Sequence, residues 1–181
     1  MSNITNFKGQ FAGGARPNLF QAEITFPAAV TGAGSAQGLS RFMIKAAQLP
    51  ASIIAPIEVP YRGRKLKVAG DRTFEPWTVT VINDVGMEIR NAFESWMDLI
   101  NRNVSNTTGL PGLNYYRDLQ IYQLNRDFTA TSTKSYNFVD AFPTNISAID
   151  LNYETNDAVE EFTVEFNYQY WTSGQSTSTN Q

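Results

Sequence analysis

The groups in this sequence that could do ionic chemistry near neutral pH are carboxylates and basic side chains, because its 181 residues include neither histidine nor cysteine. Histidine is the usual base at that pH and the commonest metal ligand; cysteine supplies thiolates and disulfides. Ser-His-Asp and Cys-His nucleophiles and histidine-bound metals are therefore excluded. Two carboxylate groupings remain, Glu160-Glu161 and Asp150/Glu154/Asp157. They lack the spacing of a Ca²⁺ loop and fall on expected strand edges and turns, where acids are ordinarily solvated. Neither GxxxxGK[ST] nor a GxGxxG following a strand occurs, so no phosphate cradle is recognisable. Neither enzymatic activity nor a cofactor or metal is expected.

The basic residues are more concentrated. The segment 60–75, PYRGRKLKVAGDRTFE, carries Tyr61, Arg62, Arg64, Lys65, Lys67, Asp71 and Arg72. One reading is a nucleic-acid contact, since Lys and Arg release counterions from phosphates; Tyr61 as the one aromatic among its five cations supports it weakly. The other is a docking arm. Its sixteen residues, doubled back, reach roughly 27 Å, enough to leave their own domain and lie on a neighbour. Long loops are uncommon without such a role, and docking is favoured. Charge distribution bears on the same point. Arg41–Arg72 holds seven basic and two acidic residues, net +5, whereas residues 135–181 hold seven acidic and no basic ones, net -7. Opposite patches on copies of one chain attract head-to-tail; equally, the charges could intermix within one protomer.

The elements that must position these residues are mostly strands. Residues 1–17 read as an N-terminal arm, 18–171 as a single β domain and 172–181 as a polar flexible tail. Strands are expected at Leu19–Phe26, with Phe20, Ala22, Ile24 and Phe26 inward, and at Arg41–Ala47, Ser52–Val59 and Trp77–Ile82. Further strands are expected at Leu119–Leu124, Ser135–Phe142, Ser147–Tyr153 and Phe162–Trp171. The glycines of Pro27–Ser40 suggest a loop. Asp84 can cap a helix over about 84–102, whose Ile89, Phe93, Trp96 and Ile100 recur at helical spacing and form a stripe against the sheet. Alternation in the last strand puts Phe162, Val164 and Phe166 on a core face and Thr163, Glu165 and Asn167 on a polar one, as in a sheet lining a solvent channel. The expected class is mainly β, a barrel or sandwich with one flanking helix. No apolar run approaches 18 residues, so no membrane-inserting helix is expected, and the polar start of the chain lacks a signal peptide's apolar core.

Several of these segments resemble a known family. Ala15-Arg-Pro-Asn-Leu-Phe-Gln-Ala-Glu-Ile24 is similar to the entry into the first strand of tail tube proteins of contractile-tailed, T-even-like bacteriophages. Lys67-Val-Ala-Gly-Asp-Arg-Thr-Phe74, then Trp77-Thr-Val-Thr-Val and Asn83-Asp84, resemble that family's central motif. Gln48-Leu49-Pro50 and the terminal Tyr170-Trp171 fit as well. The resemblance implies a structural subunit that forms hexameric rings stacked into a hollow tube. It implies a surrounding sheath, baseplate and tail-terminator partners, and DNA passing through the lumen without specific binding. It places the chain in the virion tail, assembled in the host cytoplasm. The long loop and the N-terminal arm would contact the adjacent ring, and Thr163, Glu165 and Asn167 are candidates to line the bore. Related subunits build type VI secretion tubes and phage-like injection particles, in which the cargo would be protein.

Overall fold

Period-two alternation of apolar and polar residues builds most of this chain into antiparallel strands. The computed structural model describes residues 3–11, 14–125 and 132–174. In chain order the elements are α1 (Ile4–Phe11), β1 (Phe20–Glu23), α2 (Ala33–Met43), β2 (Ile44–Ala47), β3 (Ile53–Tyr61), β4 (Arg64–Thr73), β5 (Trp77–Ile82), α3 (Glu88–Ile100), β6 (Arg117–Leu124), β7 (Ser132–Ile146), β8 (Glu161–Asn167) and β9 (Tyr170–Ser173). Seven strands form one sheet in the order β1-β6-β7-β8-β5-β2, with β9 beside β7, while β3 and β4 pair only with each other. The fold is mainly β, as expected.

β7 is the strand that turns the sheet. Its first part pairs with β6 and β9, and its last residues pair with β8. Between them Asp140 adopts φ 54°, a left-handed conformation that Asp tolerates better than most residues, and its N–H donates to Asp118 Oδ1 at 3.2 Å. The expected strand Phe162–Trp171 is broken for the same reason. It pauses at Tyr168 and Gln169, and β9 then follows the first part of β7 instead of the last.

The inward side chains are those the alternation selects. Trp77, Val79 and Val81 of β5 pair with Phe166, Val164 and Phe162 of β8, and all six are buried. α3 covers them. Its residues Ile89, Ala92, Phe93 and Trp96 are fully buried, and Leu99 and Ile100 pack partly buried against the same cluster. The expected cap Asp84 is not at the N-cap of α3, which is Met87, in the left-handed region and without a side-chain cap bond; the Asp84 carboxylate lies in the preceding turn and accepts the N–H groups of Gly86 and Glu88, both at 3.0 Å.

The structure departs from the sequence-based expectation at several further places. Pro27–Ser40 is not a loop throughout, and Arg41–Met43 is not strand; both contribute to α2, so helices additional to α3 are present. α2 contains Gly34 and Gly38, which weaken helices, but Ala36 and Ser40, four apart, are completely buried. Tertiary burial of that small-residue stripe outweighs the weak local preference. Residues 3–11 of the expected arm include the helix α1, with no buried residue. Ser147–Tyr153 is not a strand: β7 instead continues through Ile146, after which the chain leaves the sheet. The segment 60–75 is not a loop but the tip and return strand of a hairpin. Of the expected tail 172–181, residues 172–173 belong to β9, and residues 175–181 lie outside the described residues.

Two predictions follow from this packing. Trp96→Ala removes a fully buried indole that also donates to the Tyr115 carbonyl at 3.0 Å; a loss of about 3–5 kcal/mol is expected in chemical denaturation, and an unchanged midpoint would show that α3 is not packed as described. In the hairpin, a Cβ on Gly70 would lie 2.5 Å from the Ala55 carbonyl oxygen, beside the register shift between Ile54 and Pro56. Gly70→Val should therefore raise amide exchange across 53–73 by about tenfold while the main melting transition moves by less than about 1 kcal/mol, and unaltered exchange would refute the clash.

Candidate assembly surfaces

A hairpin of nine- and ten-residue strands spans Ile53 to Thr73. At about 3.4 Å per residue each arm is roughly 30 Å long. Its turn is Arg62-Gly63, with φ of 46° and 79°, the two consecutive positive values that a tight two-residue hairpin turn requires. Every residue from Ile53 to Ala69 is exposed. Ile57, Val59 and Tyr61 on β3 and Leu66 and Val68 on β4 are among the large apolar side chains left in water. An isolated two-stranded ribbon is marginal in water, and this one keeps both faces uncovered.

Its root, by contrast, is held firmly. The Trp77 indole, stacked on Phe138 with centroids 4.4 Å apart, donates to the Gln48 carbonyl at 2.7 Å. The Trp171 indole donates to the Ala51 carbonyl at 3.1 Å. Phe74, just after β4, packs against Tyr168 at 5.9 Å. Burial, followed by the nearby Glu75 carboxylate, raises the Tyr168 phenol above its ordinary value, so this ring stays neutral beneath the root. Two indoles on core strands thus grip the segment entering the hairpin, and one aromatic pair grips the segment leaving it. The direction of the ribbon is set by the core although its length is not covered by it.

The expected docking residues lie at three levels of this ribbon. Tyr61, Arg62, Arg64 and Lys65 surround the tip, Lys67 lies along β4, and Asp71 and Arg72 lie near the root. The Arg62 guanidinium sits 5.4 Å from the Tyr61 ring centroid, and Lys65 pairs with Glu58 at 2.6 Å. Sequence reasoning singled out the charged residues and Tyr61 and missed Ile57 and Val59 of β3, whose alternation matches that of a buried strand.

The outer face of the sheet is polar. Thr163 and Glu165 of β8 stand opposite Thr80 and Thr78 of β5, and Asn145 of β7 flanks Glu165 on its other side. Thr163 and Glu165 are half-buried, and Asn167, at the end of β8, is exposed. On the same strand Glu161 is paired with Lys45 at 2.5 Å. The face is therefore threonine-rich, with Glu165 near its middle. A third surface follows β7. Residues 150–159 are all exposed and include Asp150, Glu154 and Asp157 together with Leu151, Tyr153 and Val159. No group of three potential ligands close enough to hold a metal occurs among the described residues, and no helix there is long and apolar enough to cross a membrane.

The phage tail tube protein family matches residues 15–173. Tail tube protein gp19 of Enterobacteria phage T4 is 36% identical over 157 residues, covering 87% of this chain and 90% of that protein. The tail tube protein of Serratia phage KSP90 is 28% identical over 171 residues, covering 93% and 95%. In fold, the chain is similar to the tube-terminating cap of the anti-feeding prophage, with a TM-score of 0.60 at 16% identity over 88% of this chain and 89% of that one. It is similar also to a chain of the sheath–tube complex of the extracellular contractile injection system PVC, with a TM-score of 0.60 at 13% identity over 91% and 95%. The chain belongs to the phage tail tube protein family, a family of structural components of the virion tail and not of enzymes.

Proposed function

We propose that this protein assembles into hexameric rings that stack into the hollow inner tube of a contractile tail, the conduit for genome ejection. The observation that carries the reading is the hairpin β3–β4: its root is fixed by two indole hydrogen bonds and its apolar residues are uncovered. Burying one such side chain contributes about 1.5–3 kcal/mol, and a neighbouring copy in the next ring supplies the surface. Tyr61, Arg62, Arg64, Lys65, Lys67, Asp71 and Arg72 form the inter-ring contact, with residues 18–171 as the tube domain and the N-terminal segment reaching a neighbour. A sheath surrounds the tube, a baseplate and a terminator close its ends, and assembly takes place in the host cytoplasm.

Thr163, Glu165 and Asn167 face the bore in this reading. A threonine-rich surface with a carboxylate at its middle repels DNA phosphates and holds no fixed partner for them, so the polymer passes without specific binding. A map of the assembled tube with these side chains turned toward the sheath would remove the assignment. The likeness in fold to the anti-feeding prophage and PVC chains favours a second reading, an injection-particle tube with protein cargo. Genes encoding capsid and terminase beside this one select the first, and toxin genes the second.

The test of assembly is negative-stain electron microscopy of the purified protein across a concentration series, alone and with baseplate as template. Rings or tubes with a central hole are expected. Reversal of Arg62, Arg64 and Lys65 to Glu should abolish stacking and leave the melting temperature of the subunit unchanged within about 2 °C, since surface charges contribute little to its stability. Normal tubes from that variant would overturn the docking role.

A further inference from the structure

The hairpin needs a receiving surface, and the chain itself holds a match for it. The segment 150–159 leaves the sheet after Ile146 and is exposed throughout. It presents three carboxylates, Asp150, Glu154 and Asp157, and no basic residue. None of the three enters a side-chain ion pair among the described residues, whereas Glu161 nearby is already paired with Lys45 at 2.5 Å and Glu160 accepts from Asn83 Nδ2 at 3.0 Å. Leu151 is 80% and Tyr153 103% exposed, an apolar and an aromatic side chain set among acids.

The hairpin tip has the opposite composition. Arg62 and Arg64 form no ion pair among the described residues, and Tyr61 and Leu66 beside them are 66% and 64% exposed. Each surface therefore combines unpaired charge of one sign with uncovered apolar area. In a single protomer both remain uncovered, so the two are not satisfied by folding. A heterologous contact joins unlike patches on successive copies and propagates openly wherever its rotation does not close into a ring. Opposite charge fixes its register and suppresses tip-to-tip encounters.

We infer that the acidic segment 150–159 is the docking site for the β3–β4 hairpin tip of a second copy of this chain, with Asp150, Glu154 and Asp157 facing Arg62 and Arg64 and with Leu151 and Tyr153 covered by the ribbon. This rests on the stacked-tube reading and names its receiving half. Formation of the contact is salt-dependent, because the charges are exposed before they meet and are screened beyond about 8 Å at physiological ionic strength.

The test is a charge swap scored by sedimentation and electron microscopy with full-length protein. One variant carries Arg62→Glu and Arg64→Glu; the other carries Asp150→Lys, Glu154→Lys and Asp157→Lys. Each alone should lose at least tenfold in pelletable tube while keeping the circular dichroism spectrum and melting temperature of the wild type. The two mixed should recover tubes, because each supplies the complement the other lacks, and a chain carrying all five substitutions should assemble alone. Tubes from the acid-reversed variant by itself, or failure of both the mixture and the five-fold variant, would overturn the inference while leaving the tube reading intact. Should the wild type form no ring or tube even on a baseplate template, both readings fall together.

Discussion

Phe166 is the contact on which the other elements converge. Its ring lies 5.7 Å from Trp77 on β5, 5.8 Å from Phe93 and 6.2 Å from Trp96 on α3. Phe26, in the chain that follows β1, closes on Phe93 and Trp96 at 5.0 and 5.6 Å. Edge and tilted contacts of this kind add about 0.5–1.5 kcal/mol per pair to the burial itself. Because these rings come from segments far apart in the chain, none of them has a place until the others do. The cluster ties the helix to the sheet, and through Trp77 it also sets the root of the hairpin. Stability of the subunit and direction of its outgoing ribbon thus depend on the same side chains.

That coupling explains how a fold can leave a ribbon roughly 30 Å long in water. A free two-stranded ribbon is marginal, and its exposed edges invite indiscriminate pairing. Here the root is fixed, the turn is a strained two-residue one, and Arg64, Lys65, Lys67 and Arg72 interrupt the apolar pattern of β4. Charges on an edge are a recognised defence against random strand addition. In the proposed tube they serve selective docking as well, since a cationic ribbon discriminates among surfaces by sign. In that reading the same residues oppose aggregation and direct assembly.

The legible part of the sequence was the part in which local pattern and tertiary burial agree. β5, β6 and β8 alternate cleanly and were expected as strands, and α3 has a four-three-four aromatic and aliphatic stripe; in β8 and α3 the face expected inward is the buried one. α2 was illegible because its glycines argue against helix and only burial of Ala36 and Ser40, invisible locally, reverses that. Ser147–Tyr153 misled in the opposite direction. Ile149, Leu151 and Tyr153 alternate as a strand would, yet Leu151 and Tyr153 are exposed. Alternation reports which residues avoid water, not what covers them. In the proposed tube, some of that pattern is addressed to another copy. The charge asymmetry between Arg41–Arg72 and residues 135–181 was legible from composition, but its meaning required knowing that among the described residues Lys45 with Glu161 is the one ion pair that joins the two regions.

The internal ion pairs make that last point quantitative in kind. Lys45 is matched by Glu161, Arg41 by Glu23 at 2.5 Å, and Arg90 by Glu94 at 2.9 Å. These pairs sit on or beside the folded body, where partners are preplaced. Arg62 and Arg64 lie beyond it, at the end of a ribbon that no other described element touches. A cation carried there gains little from its own protomer, since attraction through water at more than a Debye length is largely screened. Its energetic effect is confined to the moment when another surface arrives. In the proposed tube, placing unpaired cations at the end of a lever whose root is held by the core separates the folding of the subunit from the growth of the assembly, and lets each be tuned by different residues.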